Sequence, residues 1–287
     1  MIFLGTAAAE CYPNPFCTCP SCELARRSSD PKLRRRRSSM LFDETMMIDF
    51  NADAMAACGD YGVALDKLDH VLITHMHEDH FDYWNAAFPL MAVNPARTLT
   101  FYTSQEGYDG LMPILEAACR LPHPQLAQQM RDMMKISRFE VMPRFEPRPI
   151  GDKVVTALPA RHDGFFTNEK GFSYLIEKDG KTTLYASDTG RFFPETMAYL
   201  SKVVLDTLVI EGTFGQNILS ETAGHLDRES LCLMLDTMFE QGTLTKNSRI
   251  YVTHIGHKGV YTHYDYQAYL DEHYHGQVVV AWDGLRI

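Results

Sequence analysis

The chain has 287 residues, 27 of them basic and 37 acidic, for a net charge of −10 at neutral pH. That balance disfavours non-specific nucleic-acid binding, which needs a broad basic surface. Hydrophobic content of 45% suits a globular protein with a sizeable core, and no apolar run is long enough to span a membrane. Of the seven cysteines, Cys11, Cys58, Cys119 and Cys232 are scattered, a pattern that fits a reducing cytoplasm better than a disulfide framework. Met1-Ile2-Phe3-Leu4-Gly5 lacks the charged leader of a signal peptide, so a cytoplasmic location is expected.

The first strand is expected near 1–6. Phe16-Cys17-Thr18-Cys19-Pro20-Ser21-Cys22 follows and reads C-x-C-x-x-C. Three thiols in six residues match a zinc knuckle one ligand short. A cluster of free thiols, buried or redox-active, is the plainer reading. The run Arg34-Arg35-Arg36-Arg37 reads as a solvated surface segment. The alternative has one arginine reaching a substrate phosphate or an oligomer contact. A strand is expected over 39–50, a helix over 53–65 and a strand over 69–74, with Val71-Leu72-Ile73 as its buried centre.

That third strand runs into Thr74-His75-Met76-His77-Glu78-Asp79-His80, an H-x-H-x-D-H motif. It sets four metal-capable side chains, His75, His77, Asp79 and His80, within six residues. Imidazole suits Zn, Fe or Mn, and an added carboxylate favours a harder, hydrolytic site. A polar loop with histidines clustered by chance is the bland alternative.

Beyond it come a strand at 97–103 and helices at 104–119 and 124–135. The stretch 106–147 is rich in methionine and punctuated by Pro113, Pro122 and Pro124. Methionine at helical spacing reads first as core packing or an ordinary surface helix. A lid over a site, or the surface of a homodimer, is the sharper alternative. Strands are expected at 152–159, 172–178 and 181–187, with Glu177–Lys181 as a tight hairpin turn. A helix at 193–202, a strand at 206–211 and a helix at 227–241 follow, the last with Asp227 as N-cap. Strands at 249–253 and 277–281 close the chain. Strand groups interrupted by helices suit two packed sheets with helices outside.

Three of these strands lead to further metal-capable residues. They are His162 in Arg161-His162-Asp163-Gly164, Asp188 in Ser187-Asp188-Thr189-Gly190, and His254 after Thr253. One such residue alone is more often a cap or turn; three after the first motif are hard to dismiss. His257, three residues past His254, offers a distant fourth ligand to Cys17, Cys19 and Cys22 if one turn sends the two rings opposite ways.

In this order the stations resemble the metallo-β-lactamase superfamily over nearly the whole chain. The resemblance implies an α/β fold, the αββα sandwich of two packed mixed sheets with helices outside. It implies a single domain over 1–287, with the knuckle at 17–22 and room for a lid or insertion at 106–147. It also implies two divalent ions, Mn, Zn or Fe. His75, His77 and His162 would bind one; Asp79, His80 and His254 the other; Asp188 would bridge them. Leu4-Gly5-Thr6-Ala7, the C-x-C-x-x-C motif, Glu23-Leu24-Ala25-Arg26-Arg27 and the T-H-I-x-H pair at 253–257 narrow the likeness. They resemble the phosphoribosyl 1,2-cyclic phosphate phosphodiesterase branch of phosphonate utilisation. A related cofactor-biosynthesis branch shares the cysteines but lacks the full dinuclear ligand set, which is present here.

The branch implies one structural zinc on Cys17, Cys19, Cys22 and His257. It places a non-ligand histidine beside the metals at Gly224-His225-Leu226-Asp227, which makes His225 the general-acid candidate, with Asp79 the other catalytic residue. A capping or surface histidine is the plainer reading of His225. Glu211, after Leu208-Val209-Ile210, reads as a partner that orients a ligand imidazole. The expected activity is hydrolysis of a small phosphodiester of a (phospho)sugar, cyclic or open, by attack of a metal-activated hydroxide. An ester, lactone or β-lactam hydrolase, an RNA-processing nuclease and a non-catalytic metal- or cofactor-binding protein are the alternatives. Neither a membrane nor nucleic acid is an expected partner.

Overall fold

Short apolar runs broken by turn residues build two mixed sheets in the computed structural model, which describes residues 1–94, 97–259 and 262–287. The first sheet holds β1 (Ile2–Gly5), β2 (Ser39–Asp43), β3 (Met46–Ile48), β4 (His70–Leu72), β5 (Leu99–Thr103) and β6 (Ser137–Val141), in that order across the sheet. The second holds β7 (Arg148–Ile150), β8 (Lys153–Asp163), β9 (Lys170–Lys178), β10 (Lys181–Ala186), β11 (Thr207–Glu211), β12 (Arg249–Thr253) and β13 (Val278–Val280), again in sequence order. Each sheet starts with antiparallel pairs and continues with parallel ones, from β3–β4 in the first and β10–β11 in the second. The two halves therefore repeat one plan, though no repeat is visible in the sequence.

Helices α1 (Pro20–Arg27), α2 (Ala54–Tyr61), α3 (Gln105–Ala118), α4 (Pro124–Lys135), α5 (Pro194–Leu200), α6 (Arg228–Glu240) and α7 (His263–Tyr274) complete the fold. Parallel strands covered on both faces must be apolar on both. Side chains alternate accordingly: Leu208 and Ile210 join the core under α6 and α7, while Val209 between them joins the core that links the two sheets. Val71 likewise packs on the helix side of the first sheet and Leu72 on the inter-sheet side. This is the expected sandwich.

The hairpin turn after Lys178 is present, with Asp179 and Gly180 both at positive φ. Asp227 caps α6 by accepting from the backbone of Ser230 at 2.8 Å. Elsewhere the structure corrects the expectations. The single strand over 39–50 is a hairpin, because Asp43 Oδ1 accepts from the backbone of Thr45 and Met46 and turns the chain. Helices α1 and α7 and strands β6 and β7 lie outside the expected elements. Helix α7 buries only His263, Tyr266 and Leu270, too few to show as an apolar stripe. In 106–147, Met130 and Met133 are buried in the core with Leu111 and Leu115.

The arginine run is not a solvated segment. Arg35 is buried and donates to Thr6 Oγ1 (2.7 Å) and the Ala281 carbonyl (2.5 Å), with His263 Nδ1 at 3.0 Å. Arg37 grips Asp53 in a two-pronged pair at 2.8 and 2.9 Å, and Arg36 pairs with Asp60. A buried guanidinium is costly unless its donors find acceptors; here the two Nη groups find them and staple the N-terminal segment to the C-terminal one, while Nε has no hydrogen-bond partner among the described residues. No helix among the described residues is long and apolar enough to cross a membrane.

Candidate metal centre

The ends of buried strands from both sheets converge at one edge of the sandwich. β4 leads into His75, His77, Asp79 and His80; β8 carries His162; β10 leads to Asp188; β12 leads to His254. Strand carboxyl ends are where open α/β sheets gather polar side chains, since the apolar strand stops there and the loop can turn inward. His162 itself lies within β8 rather than after it, past an irregularity in register between Pro159 and Asp163.

The ligand atoms form two groups, His75 with His77 and His162, and Asp79 with His80, Asp188 and His254, each gathered within 4.8 Å. Asp188 Oδ2 lies 3.7 Å from His75 Nε2, 3.4 Å from His80 Nε2 and 3.5 Å from His254 Nε2, while its Oδ1 lies 3.3 Å from His162 Nδ1. That position between the groups is the one a bridging carboxylate requires.

The donor set fits metal ions. His80 Nε2 and His254 Nε2 are buried and make no directed hydrogen bond among the described residues. Orphaned buried nitrogens of this kind cost free energy unless something accepts their lone pairs. Imidazoles and carboxylates aimed at a common point are what a divalent cation needs. The opposite ring nitrogens are held. His80 Nδ1 lies 2.7 Å from Asp49 Oδ2, His254 Nδ1 lies 2.8 Å from Thr213 Oγ1, and His162 Nδ1 lies 3.1 Å from the Gly224 carbonyl. Such partners fix ring orientation and tautomer.

Glu211 is the hub of this outer layer. It is fully buried and accepts from Thr189 N at 2.6 Å, Thr213 Oγ1 at 2.5 Å and Leu226 N at 3.1 Å. It thereby holds the loops that carry Asp188 and His225, and through Thr213 it holds His254. Asp49 was not among the expected residues. Its signal is an acid closing a buried strand, Met47-Ile48-Asp49, the same pattern that exposes Asp188 in Tyr185-Ala186-Ser187-Asp188.

Electrostatics of the chain alone follow from this crowding. Burial opposes charge on His75 and, with the neighbouring His80, holds it well below the usual histidine range. Burial also opposes charge on His80, but Asp79 and Asp49 outweigh it and raise it well above that range. Asp79 and Asp188 stay ionised despite burial because imidazoles surround them. His225 Nδ1 sits 2.8 Å from Asp188 Oδ1 and 3.3 Å from Glu211 Oε1. Burial works against its charge, yet the two carboxylates push it up to about 11.

His77, Asp79, His162, Asp188, His225 and His254 line a cavity of about 250 Å³. Ala8, Ala9, Glu10, Thr213, Phe214, Gly256 and Lys258 complete its lining, none of which was expected from sequence and none of which lies in 106–147. Phe214 packs its ring 5.5 Å from that of His225.

Behind one wall, Cys17, Cys19, Cys22 and His257 bring their ligand atoms within 4.8 Å of one another. His257 Nδ1 is 3.6 Å from Cys19 Sγ. The turn His254-Ile255-Gly256-His257 separates the rings, with His254 in the left-handed region at φ 55°. Burial opposes the Cys19 thiolate, but hydrogen bonds from the Cys22 backbone and His257 bring Cys19 down to about 6. Burial, followed by the Cys19 sulfur, pushes the Cys22 thiol up to about 12.

A family model described as a beta-lactamase superfamily domain matches residues 49–255. Among solved structures, a diphosphatase from the PhnP family superposes with a TM-score of 0.71 at 18% identity, covering 100% of this chain and 95% of that one. Zn(2+)-bound PqqB from Methylobacterium extorquens gives 0.68 at 17% identity, covering 99% and 98%. The short form of human tRNase Z gives 0.61 at 16%, covering 99% and 96%. No curated protein matches the chain by sequence.

Proposed function

The chain belongs to the beta-lactamase superfamily, and from that premise we propose that it is a dinuclear metal-dependent phosphodiesterase acting on a small phosphodiester, cyclic or open. One observation carries this reading: seven ligand side chains, His75, His77, Asp79, His80, His162, Asp188 and His254, converge in two groups beside an open cavity. The diphosphatase and the tRNase among the structural neighbours lend support to phosphoryl chemistry.

His75, His77 and His162 would hold one ion and Asp79, His80 and His254 the other, with Asp188 available to both groups. When bound, such ions stabilise charge on phosphoryl oxygens and acidify water near neutral pH. The protein's own residues do the rest. Asp49, Thr213 and the Gly224 carbonyl keep the imidazoles aimed, so no reorganisation is needed as charge develops. Asp79 faces the cavity in its ionised form and can accept a hydrogen bond from the attacking water. His225, held at Nδ1 by Asp188 and Glu211, lines the cavity and is the residue placed to give a proton to the departing sugar oxygen. Such a donor contributes on the order of 10²–10⁴-fold.

The reading is tested with protein loaded with Mn or Zn, on phosphodiesters alongside matched β-lactam, lactone and thioester substrates. Diester turnover that chelation removes and metal restores is the expected result. Faster turnover of any of the other three classes would replace it with that chemistry.

His225 has its own test. A sugar alkoxide needs a proton to leave, whereas a nitrophenolate hardly does. His225→Ala is therefore expected to slow hydrolysis of a cyclic sugar phosphate at least about tenfold more than that of a nitrophenyl diester, with metal content unchanged. Equal losses would mark His225 as a positioning residue or metal support.

A further inference from the structure

Glu169 is a buried carboxylate that pairs with no cation among the described residues. Its oxygens accept from backbone instead. Met76 N donates to Oε1 at 2.9 Å and Phe166 N to Oε2 at 3.1 Å. A buried carboxylate is costly unless such donors hold it, so its position is tied to both.

Both donors flank metal ligands. Met76 stands between His75 and His77, and its side chain is buried in the core on the helix side of the first sheet. Its amide therefore needs a protein acceptor, and finds one 93 positions along the chain rather than on a neighbouring strand. Phe166 lies in the turn that joins β8 to β9, just past His162. Asp163 pairs with Lys170 at the base of that turn. Within it, Gly164 N donates to the Glu169 carbonyl at 2.9 Å and Glu169 N to the Phe166 carbonyl at 3.0 Å. A Cβ at Gly164 would collide with the Glu169 carboxyl, so glycine lets the turn close on it.

One carboxylate thus joins the two chain segments that supply His75, His77 and His162. The two groups of ligands are not held alike. His80 and His254 each have an outer side-chain partner, Asp49 and Thr213. The His77 ring has none: its hydrogen-bond contacts among the described residues are His75 Nε2 at 2.9 Å and His162 Nε2 at 3.4 Å, both within its own group. Its aim comes through its backbone. We propose that Glu169 is a positioning residue for the first group alone, setting the spacing of His75, His77 and His162 and thereby the affinity of the ion they hold. This rests on the dinuclear reading above.

The test is cobalt(II) binding to the wild type, Glu169→Gln and Gly164→Ala, followed by visible absorption and elemental analysis. Ligand set and geometry shape the visible bands, and cobalt on the cysteines is set apart by its thiolate charge-transfer bands. His77→Ala and His254→Ala supply reference spectra, each with one group disabled. Glutamine keeps the size of glutamate but turns one acceptor oxygen into a donor, so Met76 or Phe166 loses its partner. Alanine at position 164 leaves the carboxylate intact and displaces it.

Both variants are expected to bind one cobalt at least about tenfold more weakly, the lower end of the effect of an outer partner on a ligand. Affinity for the other should be unchanged, and the singly loaded spectrum should match that of His77→Ala. A loss of stability alone would weaken both ions together and leave no such signature. Equal weakening of both ions, a singly loaded spectrum matching His254→Ala, wild-type affinities in either variant, or metal-free variants that do not fold overturns the role of Glu169. A wild type that takes up fewer than two cobalt ions at the histidine and aspartate groups overturns the dinuclear reading and the role of Glu169 with it.

Discussion

Asp188→Ala is expected to lose both metal occupancy and turnover, the latter by about 10³-fold or more. Replacing an outer-layer partner of a ligand typically costs 10–100-fold, and Asp188 stands closer than that. Its two oxygens lie 3.3 to 3.7 Å from His75, His80, His162 and His254. Its charge also opposes mutual repulsion among histidines whenever one is protonated. The variant should therefore bind fewer than two equivalents of metal by elemental analysis. Asp188→Asn keeps the shape and removes the charge, which separates loss of a ligand from loss of folding. Two tightly bound ions with wild-type turnover in either variant would falsify the assignment of Asp188 as the bridge.

The second large effect is expected at the cysteines. Cys19→Ser should lower zinc content by about one equivalent per chain and reduce Tm by about 5 °C or more, since binding free energy at a structural thiolate site is folding free energy. The thiols are poised for it. Cys19 lies near 6 and Cys22 near 12, one sulfur already inclined to ionise and another that must lose its proton to a metal. Zinc uptake should accordingly release protons, readable in weakly buffered solution. The consequence should reach the cavity as well, because the turn that carries His257 also carries His254 and Lys258. An unchanged melting temperature and unchanged zinc would identify the cysteines as ordinary thiols.

Much of this site was legible in sequence because its chemistry is concentrated. Four metal-capable residues in six, at the end of an apolar run, require no knowledge of packing to be noticed. Asp188 and His254 were visible as polar residues where a buried strand stops, and His162 as one past the apolar part of a strand that in fact runs on to Asp163. Glu211 was legible only as a candidate partner for a ligand. Its hold on three backbone or hydroxyl donors at once depends on loops that meet only in the folded chain.

The arginine run shows the opposite case. Four adjacent cations look solvated along a sequence, because solvation is the cheapest fate of a charge. The fold finds a different one: Arg35 reaches Thr6 and Ala281, residues 29 and 246 positions away, and becomes a buried staple. Nothing local encodes that, since the acceptors are backbone and hydroxyl oxygens whose positions come from two distant strands.

The amino-acid sequence by itself determined the sandwich of apolar strands, the helices with clear caps or periodicity, and the identity of the metal-capable side chains. Those are properties of short stretches, set by alternation, spacing and residue type. Tertiary structure alone decided which ring nitrogens point inward, which carboxylate stands between the two groups, and which side chains face the cavity. Glu10, Phe214 and Lys258 come from three separate loops and carry no motif. Their meeting is set by how the two sheets pack and by the clamp between 212–217 and 254–259, an arrangement that depends on long-range contacts and not on the residues beside them in the chain.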